Sequence, residues 1–334
     1  MVNRLVEIMA PSAKADHIDQ ILADTKSLAT WCQRTDDAVQ YKVVLSAKDV
    51  EQLLDPLQAY TSVHDDVRVV VLQAQAFLPA VETAEAPPPA EPEEKTIGST
   101  RISRQELDND LRQAADAGPI FVTTVVLSTI VAAIGLLRDS PEILVGAMVI
   151  APLMGPNMAL VLATTLGDGT LARRALRANA VGFATALASA LVVGLFVRWF
   201  VGLDPSIPAL ASRTQITPGD ILLALAAGSA GALAYTTGVS TALVGVMVAV
   251  ALLPPFVAMA MLFATGHLSD ALGALLLVAV NLICVNLSGI ATFVVQGVRP
   301  ANWWDATRAK HATRRALCVW IALFVAATLI VVAR

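Results

Sequence analysis

An apolar stretch that contains two prolines and two glycines constrains this chain more than any other feature. It reads VGAMVIAPLMGPN over residues 145–157, and Gly155 lies inside it. A proline in a helix has no N–H for the carbonyl four residues earlier, so Pro152 should free the carbonyl of Met148 and Pro156 that of Pro152. Free carbonyls are tolerated at membrane depth only where protein buries them or water reaches them. The stretch therefore predicts a broken transmembrane helix that lines a site.

A second copy of this stretch follows 99 residues later. Residues 145–156 align without a gap on residues 244–255, and six of the twelve positions are identical. Internal repeats at a fixed offset indicate related structural units, so we expect a membrane domain of two related halves, each with a broken helix. The second copy contributes a proline pair and, by the same rule, two freed carbonyls: Pro254, Pro255, Val250 and Ala251.

Charge and hydropathy divide the chain into a polar head and an apolar body. Of 334 residues, 56% are hydrophobic and 15% are charged, whereas a soluble domain averages about 25% charged. Residues 1–118 carry 11 basic and 20 acidic side chains, and residues 119–334 carry 12 and 7. Because about 20 apolar residues cross a bilayer, the body predicts seven spans, near 119–137, 142–166, 175–200, 220–237, 240–264, 270–296 and 315–333.

The repeat predicts how these spans are arranged. The first copy covers about 119–202 and the second about 218–298, with 315–333 as an extra helix. Three crossings separate the two copies, and because three is odd the second copy enters from the opposite side. Transporters with such inverted repeats bind substrate near the midplane at discontinuous helices. The expected fold class is an α-helical membrane protein of seven transmembrane helices with a 3+3 inverted repeat.

The distribution of basic residues predicts the orientation. Arg173, Arg174 and Arg177 follow the second span, and a further basic group lies within 299–315. Basic loops stay in the cytoplasm, which places the N-terminus inside and the C-terminus outside. The first ten residues lack the apolar core of a signal peptide, so we expect a multi-pass protein of the cell (inner) membrane. The lipid bilayer is then a partner, and the acidic head argues against nucleic acid.

The head, residues 1–81, predicts a small cytoplasmic α+β domain. Strands are expected at 2–9, 39–45 and 67–73, a weaker one at 28–33, and helices at 14–25 and 49–60. The order is βαββαβ, the ferredoxin-like pattern; such domains often bind a regulator or pair with copies of themselves. A Pro/Glu-rich linker, 82–102, and a pre-membrane helix, 103–118, follow, and Ser103 with Glu106 forms a capping-box start. The transmembrane domain is 119–334.

A few polar side chains within or beside the spans are candidates for function. Asn157 adjoins the broken stretch and is the best of them, because a buried asparagine needs a partner. Asn281 and Asn286 come next, with interhelical hydrogen bonding as the alternative role. Glu142 and Asp139 lie beside the motif and are the candidates for proton coupling, with a solvated loop as the alternative.

Signatures of an enzyme are absent from the sequence. It contains neither a nucleotide-binding Gly-Lys motif nor a His-Glu metal pair, and its four histidines are scattered. Cys32, Cys284 and Cys318 stand apart, without the spacing of a metal or redox site. We therefore expect no catalytic residue, no cofactor and no metal.

Several motifs around the first proline cluster are similar to those of one known family. They are Arg104-Gln-Glu-Leu, the run 127–137, Asp139-Ser-Pro, the stretch GAMVIAPLMGP and Gly167-Asp168. Together they resemble, over about residues 100–300, the uncharacterised bacterial and archaeal hydrophobic-domain family catalogued as domain of unknown function 389. The resemblance implies an architecture and motif positions, and it carries no established substrate.

The sequence predicts a membrane transporter of a small solute or ion that uses broken helices at the midplane. Carbonyl dipoles suit a cation or a donor-rich neutral solute, while helix N-termini beyond the breaks suit an anion, and the sequence leaves this choice open. An ion channel gated by the head, or a non-transporting sensor or scaffold, are the alternatives. We expect a homo-oligomer, paired through the head or the small-residue fourth span.

Overall fold

A computed structural model describes residues 3–46, 49–74, 102–237 and 241–298, together with residue 322. The chain divides into two compact units, residues 1–107 and 108–334. The predicted linker, apart from its last residue, and the predicted seventh span, apart from Ala322, lie outside the described residues.

The described residues of the first unit up to Ala74 form a four-stranded sheet and two α-helices. Its strand order is β2-β3-β1-β4, and all neighbouring strands are antiparallel. The chain order is the predicted βαββαβ, and the weaker strand is confirmed. The elements are β1 (Asn3–Pro11), a 3-10 turn (Ser12–Lys14), α1 (Ala15–Ala23), β2 (Ala29–Arg34), β3 (Ala38–Ser46), α2 (Val50–Thr61) and β4 (Arg68–Ala74).

Alternation along the central strands builds the core of this unit. Val6 and Ile8 of β1 are fully buried, because successive side chains of a strand point to opposite faces and every second residue faces the helices. The helices contribute Ile18 of α1 and Leu53 and Leu57 of α2 to the same core. A single apolar face on each element is thus enough to close the unit.

The rest of the described chain is helical. Ser103 begins the first of these helices as predicted, since its hydroxyl accepts a hydrogen bond from the N–H of Glu106 at 3.2 Å. The Glu106 carboxylate instead binds Arg4, with both hydrogen bonds at 3.1 Å. The helices are α3 (Arg104–Ala114), α4 (Pro119–Leu137), α5 (Pro141–Ile150), α6 (Met154–Leu166), α7 (Gly169–Phe200), α8 (Pro208–Ala211), α9 (Pro218–Thr237), α10 (Thr241–Thr265) and α11 (Leu268–Val295).

Several of these helices are long and apolar enough to cross a membrane. Within the described ranges, α4, α7, α9 and α11 each meet this condition, and α5 with α6 forms a bent pair, which raises the number to five if the pair makes one span. The 25-residue α10 continues the series, and its residues from 251 onward are strongly apolar. The chain is therefore a multi-pass helical membrane protein.

Close helix contacts fix the arrangement of this second unit. The helix α11 packs against α9, α10 and α6, and α10 also packs against α7, α5 and α4. Small residues permit these approaches: a Cβ on Gly228 of α9 would lie 2.4 Å from the carbonyl oxygen of Val285 on α11. Small residues at such contacts are the usual means of association between helices in lipid.

Candidate functional site at the helix break

The predicted break in the second span is confirmed. The helix α5 ends at Ile150, α6 begins at Met154, and the two axes are bent by 56°. Ala151 has φ −67° and ψ 120°, the extended backbone that a following proline imposes on its neighbour. Pro152 therefore stops α5, and it has no N–H for the carbonyl of Met148 in the last turn.

The second proline of the stretch has a different role from the predicted one. Pro156 is the third residue of α6, within the first turn, where backbone N–H groups have no partner inside the helix. Its missing N–H therefore costs α6 nothing. The break results from Pro152, and Pro156 only favours the start of the next helix.

The predicted break in the fifth span is wrong. The helix α10 runs unbroken through Pro254 and Pro255. Ala251 stands at the position that corresponds to Pro152, so the residue that stops α5 has no counterpart here. Val250 belongs to the same helix, and its side chain is outside the described part of the chain.

An asparagine on the neighbouring helix replaces the hydrogen bond that α10 loses. Pro255 cannot donate to the carbonyl of Ala251, and the side-chain nitrogen of Asn281 donates to that oxygen at 2.7 Å. This bond joins α11 to α10 and satisfies the freed carbonyl. The interhelical role considered for Asn281 is therefore observed.

The other two predicted asparagines bind only their own helices. The side-chain nitrogen of Asn157 donates to the carbonyl of Leu153, and that of Asn286 to the carbonyl of Leu282, both at 2.8 Å. Both side chains are fully buried. Neither bond crosses to another helix, so neither asparagine joins helices through its amide nitrogen.

The amide oxygens of all three asparagines are buried without a partner. The Oδ1 atoms of Asn157, Asn281 and Asn286 accept no hydrogen bond from any residue that the structure describes. A buried acceptor left unsatisfied costs about 1–3 kcal/mol, and an unseen ion or water is a common reason for one. Each of these oxygens is therefore a candidate contact for a bound solute, ion or water.

Two further residues of the same kind extend this set. The amide nitrogen of Asn179 on α7 donates to the carbonyl of Ala175 at 3.0 Å, and its Oδ1 is buried without a partner within the described chain, as is the hydroxyl of Thr129 on α4. The sequence reasoning missed Asn179. An asparagine within the predicted apolar span 175–200 was the available signal.

The break, the proline pair of α10 and Asn281 each lie near the middle of their helices. The break falls at residues 151–153 of the pair 141–166, and Asn281 is the fourteenth of the 28 residues of α11. The proline pair occupies the fourteenth and fifteenth of the 25 residues of α10. A helical break, a proline pair and a buried asparagine thus occupy the middle of three mutually packed spans.

The helices α6 and α11 meet near the remaining two asparagines. A Cβ on Gly289 would lie 3.0 Å from the Cγ1 of Val161. Asn157 precedes Val161 by four residues and Asn286 precedes Gly289 by three, which is about one turn in each helix. Both oxygens therefore belong to the neighbourhood of this contact.

Gly155 is a packing residue in the structure. A Cβ at this position would lie 2.8 Å from the Cβ and 3.0 Å from the carbonyl oxygen of Ala114, the last residue of α3. The other glycine of the stretch, Gly146, has nothing within 4 Å of such a Cβ. Gly155 lets the start of α6 approach α3, which fixes one side of the break.

We expect Gly155→Ala to destabilise the protein by about 1–3 kcal/mol, the usual cost of overpacking a close contact. Gly146→Ala, the matched control in the same stretch, should be neutral or slightly stabilising because alanine is the better helix former. Thermal unfolding in detergent measures both. Equal stability of the two variants would contradict the contact with Ala114.

The two acids proposed for proton coupling lie at one end of α5. Glu142 is an exposed residue of the first turn and accepts a hydrogen bond from the hydroxyl of Ser140 at 2.6 Å. Asp139 has a positive φ of 50°, and its carboxylate accepts a hydrogen bond from the N–H of Ala209 at 2.7 Å. From Glu142 to Ala151 the helix rises about 13 Å, so the structure separates both acids from the break. Their role in proton coupling stays a prediction.

An ion pair anchors the opposite end of the α5–α6 pair. Asp168 caps α7 by accepting hydrogen bonds from the N–H groups of Thr170, at 2.8 Å, and Leu171, at 3.0 Å. Arg112 of α3 donates to the same carboxylate. Burial raises the pKa of Asp168, but these hydrogen bonds outweigh it and hold the pKa at about 2.

We expect the stability from Asp168 to be complete above about pH 4, near the pKa of an unfolded aspartate, and lost as the pH falls through about 2. The lowered pKa means that the folded state binds the proton less readily than the unfolded state, so acid favours unfolding. Asp168→Asn keeps the helix cap and loses the ion pair, whereas Asp168→Ala loses both. Apparent melting temperatures should fall in the order wild type, Asn, Ala, with about 1 kcal/mol from the cap. Identical melting temperatures for the two variants would contradict the capping role.

Comparisons with known proteins agree with the resemblance of the sequence. The profile of the family described as Domain of unknown function (DUF389) matches residues 148–287, a range that contains the break and all three predicted asparagines. The chain is 32% identical over 291 residues to an uncharacterized protein of Methanocaldococcus jannaschii, and the match covers 87% of each chain. No solved structure matches the chain. The chain therefore belongs to the DUF389 family.

Proposed function

We propose that the protein is a membrane transporter of a small solute or ion, which binds at mid-membrane between the α5–α6 break and the helices α10 and α11. The observation that carries the proposal is a set of buried amide oxygens without partners at the depth of a helix break. A domain that only anchors a protein in the membrane does not need buried polar atoms without partners, because such atoms destabilise the fold. The residues that the sequence predicts for its lining are Met148, Pro152, Gly155, Pro156, Asn157, Val250, Ala251, Pro254, Pro255, Asn281 and Asn286.

The proposal includes a 3+3 inverted repeat, and the helix bounds support it. The helices α4 and α9 begin 99 residues apart, each with a proline, Pro119 and Pro218. The helices α6 and α10 also end 99 residues apart. Each is followed by a glycine with positive φ, 70° at Gly167 and 94° at Gly266.

The backbone at these two helix ends carries the same hydrogen bond. The N–H of Asp168 donates to the carbonyl of Ala163, and the N–H of His267 to the carbonyl of Leu262, each at 2.9 Å. These are the bonds of a helix end closed by a left-handed glycine. The helix starts, the helix ends, the glycines and these hydrogen bonds all repeat at an offset of 99 residues. This agreement favours two copies of one three-helix unit over a chance resemblance of short motifs.

The remaining parts of the proposal follow from the sequence. Seven spans, an internal N-terminus and an external C-terminus satisfy the distribution of basic loops. The first unit would lie in the cytoplasm of a cell with this protein in its inner membrane, and would regulate transport or pair copies of the chain. The protein would then be a homo-oligomer without enzymatic activity, nucleic acid partner, cofactor or metal centre.

Flux measured in proteoliposomes tests the proposal. The probes are sodium, rubidium, ammonium, chloride, phosphate, glycerol and urea. We expect saturable flux of at least one, which a carrier shows, whereas a channel saturates weakly. Folded protein that moves none of these probes would overturn the proposal.

A pair of substitutions separates transport from structure. Asn286→Leu removes a buried oxygen without a partner and keeps the volume, so flux should fall while the melting temperature stays equal or rises. Ser189→Ala is the control, because this hydroxyl only binds the carbonyl of Thr185 on its own helix. A lowered melting temperature with unchanged flux would assign Asn286 to structure alone.

A further inference from the structure

We propose that the occupant of the mid-membrane site is a small monovalent cation that has lost its hydration shell. The inference rests on the proposed transport function and narrows it to one class of substrate. It depends on three features of the second unit: the orientation of its buried amides, the position of its described acids, and the charge of a cavity at the start of α11.

The orientation of the amides leaves only acceptors for a substrate. Asn157, Asn281 and Asn286 each face a backbone carbonyl with the side-chain nitrogen. A carbonyl cannot donate, so the amides cannot turn to present their nitrogen without losing these bonds. Each side chain therefore offers an oxygen to the site. An anion needs N–H donors or positive charge, and a neutral polyol needs donors as well as acceptors; a cation needs only oxygens.

The acids described from α4 to α11 lie away from this depth. They stand at helix ends or in loops, where they are Asp139, Glu142, Asp168, Asp204, Asp220 and Asp270. Divalent cations in proteins take carboxylates as principal ligands. Neutral carbonyl oxygens replace the hydration shell of a monovalent cation, as in potassium-selective filters. Oxygens without a full negative charge therefore favour a monovalent cation over a divalent one.

A cavity of about 490 Å³ opens at the start of α11. Asp270, Gly273 and Leu276 line it on the helix side, and residues 214–216 line the other side. Among the described lining residues Asp270 is the charged one, and a carboxylate in a cavity mouth concentrates cations. From Leu276 to Asn281 the helix rises about 7.5 Å. The cavity therefore places a carboxylate that attracts cations at the start of the helix that carries Asn281 and Asn286.

The amides of α11 lie at two separate positions. Asn281 and Asn286 are five residues apart, about 7.5 Å along the helix and about 140° around its axis. The first lies beside Ala251 of α10, and the second near the contact of α11 with α6, where Asn157 lies. Successive oxygens at this spacing give a cation more than one weak site, the condition under which an ion can both enter and leave.

The experiment compares cation uptake by the full chain in proteoliposomes, with radiolabelled sodium and rubidium as probes. We expect saturable uptake of one of them by wild type, and a fall of about tenfold or more for the double variant Asn157→Leu with Asn286→Leu, since it removes two of the oxygens that would replace the hydration shell of the ion. Asn286→Asp should raise the apparent affinity for the cation or admit calcium, because it adds a charged ligand. Ser189→Ala should match wild type.

The outcomes separate this inference from the proposed function. Saturable flux of chloride, phosphate, glycerol or urea without cation flux would overturn the cation and leave transport standing. Protein that unfolds cooperatively on heating yet moves no probe would overturn both. If the double variant fails to fold, the substrate selectivity of wild type together with Asn286→Asp decides the matter: unchanged selectivity in that variant would overturn the cation site.

Discussion

Pro152→Ala should abolish transport while the protein stays folded. Alanine supplies the N–H that the carbonyl of Met148 lacks, and an interior proline disfavours a helix by about 3 kcal/mol relative to alanine. The variant should therefore extend α5 toward α6 and reduce the 56° bend. Because the break is the proposed wall of the site, we expect flux to fall by more than about tenfold, as misplaced site groups commonly cause.

The control for this variant is Pro141→Ala. Pro141 is the first residue of α5, where a proline costs no hydrogen bond, so flux and stability should change little. The measurement is probe flux per folded protein, with the melting temperature in detergent as the check on folding. A flux equal to that of wild type in the Pro152→Ala variant would show that transport does not need the break.

Gly228→Ala should have the largest effect on stability. Its Cβ would lie 2.2 Å from the hydroxyl of Ser288, 2.4 Å from the carbonyl oxygen of Val285 and 2.8 Å from the Cα of Val285. A serine hydroxyl can rotate away, but the backbone of α11 can yield only if the two helices separate. We expect a loss of about 3 kcal/mol or more, seen as a large fall in melting temperature or in the yield of folded protein.

Gly219→Ala is the matched control in the same helix. Its Cβ would meet only the hydroxyl of Thr217, at an ordinary 3.5 Å. The variant should keep wild-type stability. A folded Gly228→Ala protein with the same melting temperature as Gly219→Ala would contradict the close packing of α9 on α11, and with it the position assigned to the asparagines of α11.

Local chemistry decided which parts of this fold the sequence could predict. The break at Pro152 depends on a missing N–H and on the residue before a proline, and both are visible in the sequence. The head strands follow from their alternation, as Val6 and Ile8 illustrate. Pro156 is the third residue of α6. Its neighbours in the sequence resemble those of Pro152, and they did not show where α6 begins.

Features that depend on a partner in another helix could not be predicted from the sequence. Pro255 removes one bond from α10, and the helix survives because Asn281 of α11 supplies another to Ala251. Nothing near Pro255 in the sequence reveals that donor. The packing role of Gly155 likewise depends on Ala114, and the free oxygen of Asn179 on how α7 is buried. The sequence thus located the helix break at Pro152, but it could not distinguish a broken helix from a repaired one.

The most direct test of the central claim is whether water reaches the break in a lipid bilayer. Met148 is 4% exposed in the structure and Val149, its neighbour, is 57% exposed, so the two side chains stand at about one depth, with the first turned toward the protein and the second away from it. In a variant with Cys32, Cys284 and Cys318 replaced, Met148→Cys should react with a small charged thiol reagent, because a site for solutes is wet. Val149→Cys should not react, because lipid covers it and a thiol in hydrocarbon stays protonated and inert. Unreactive Met148→Cys in folded, membrane-embedded protein would contradict the account.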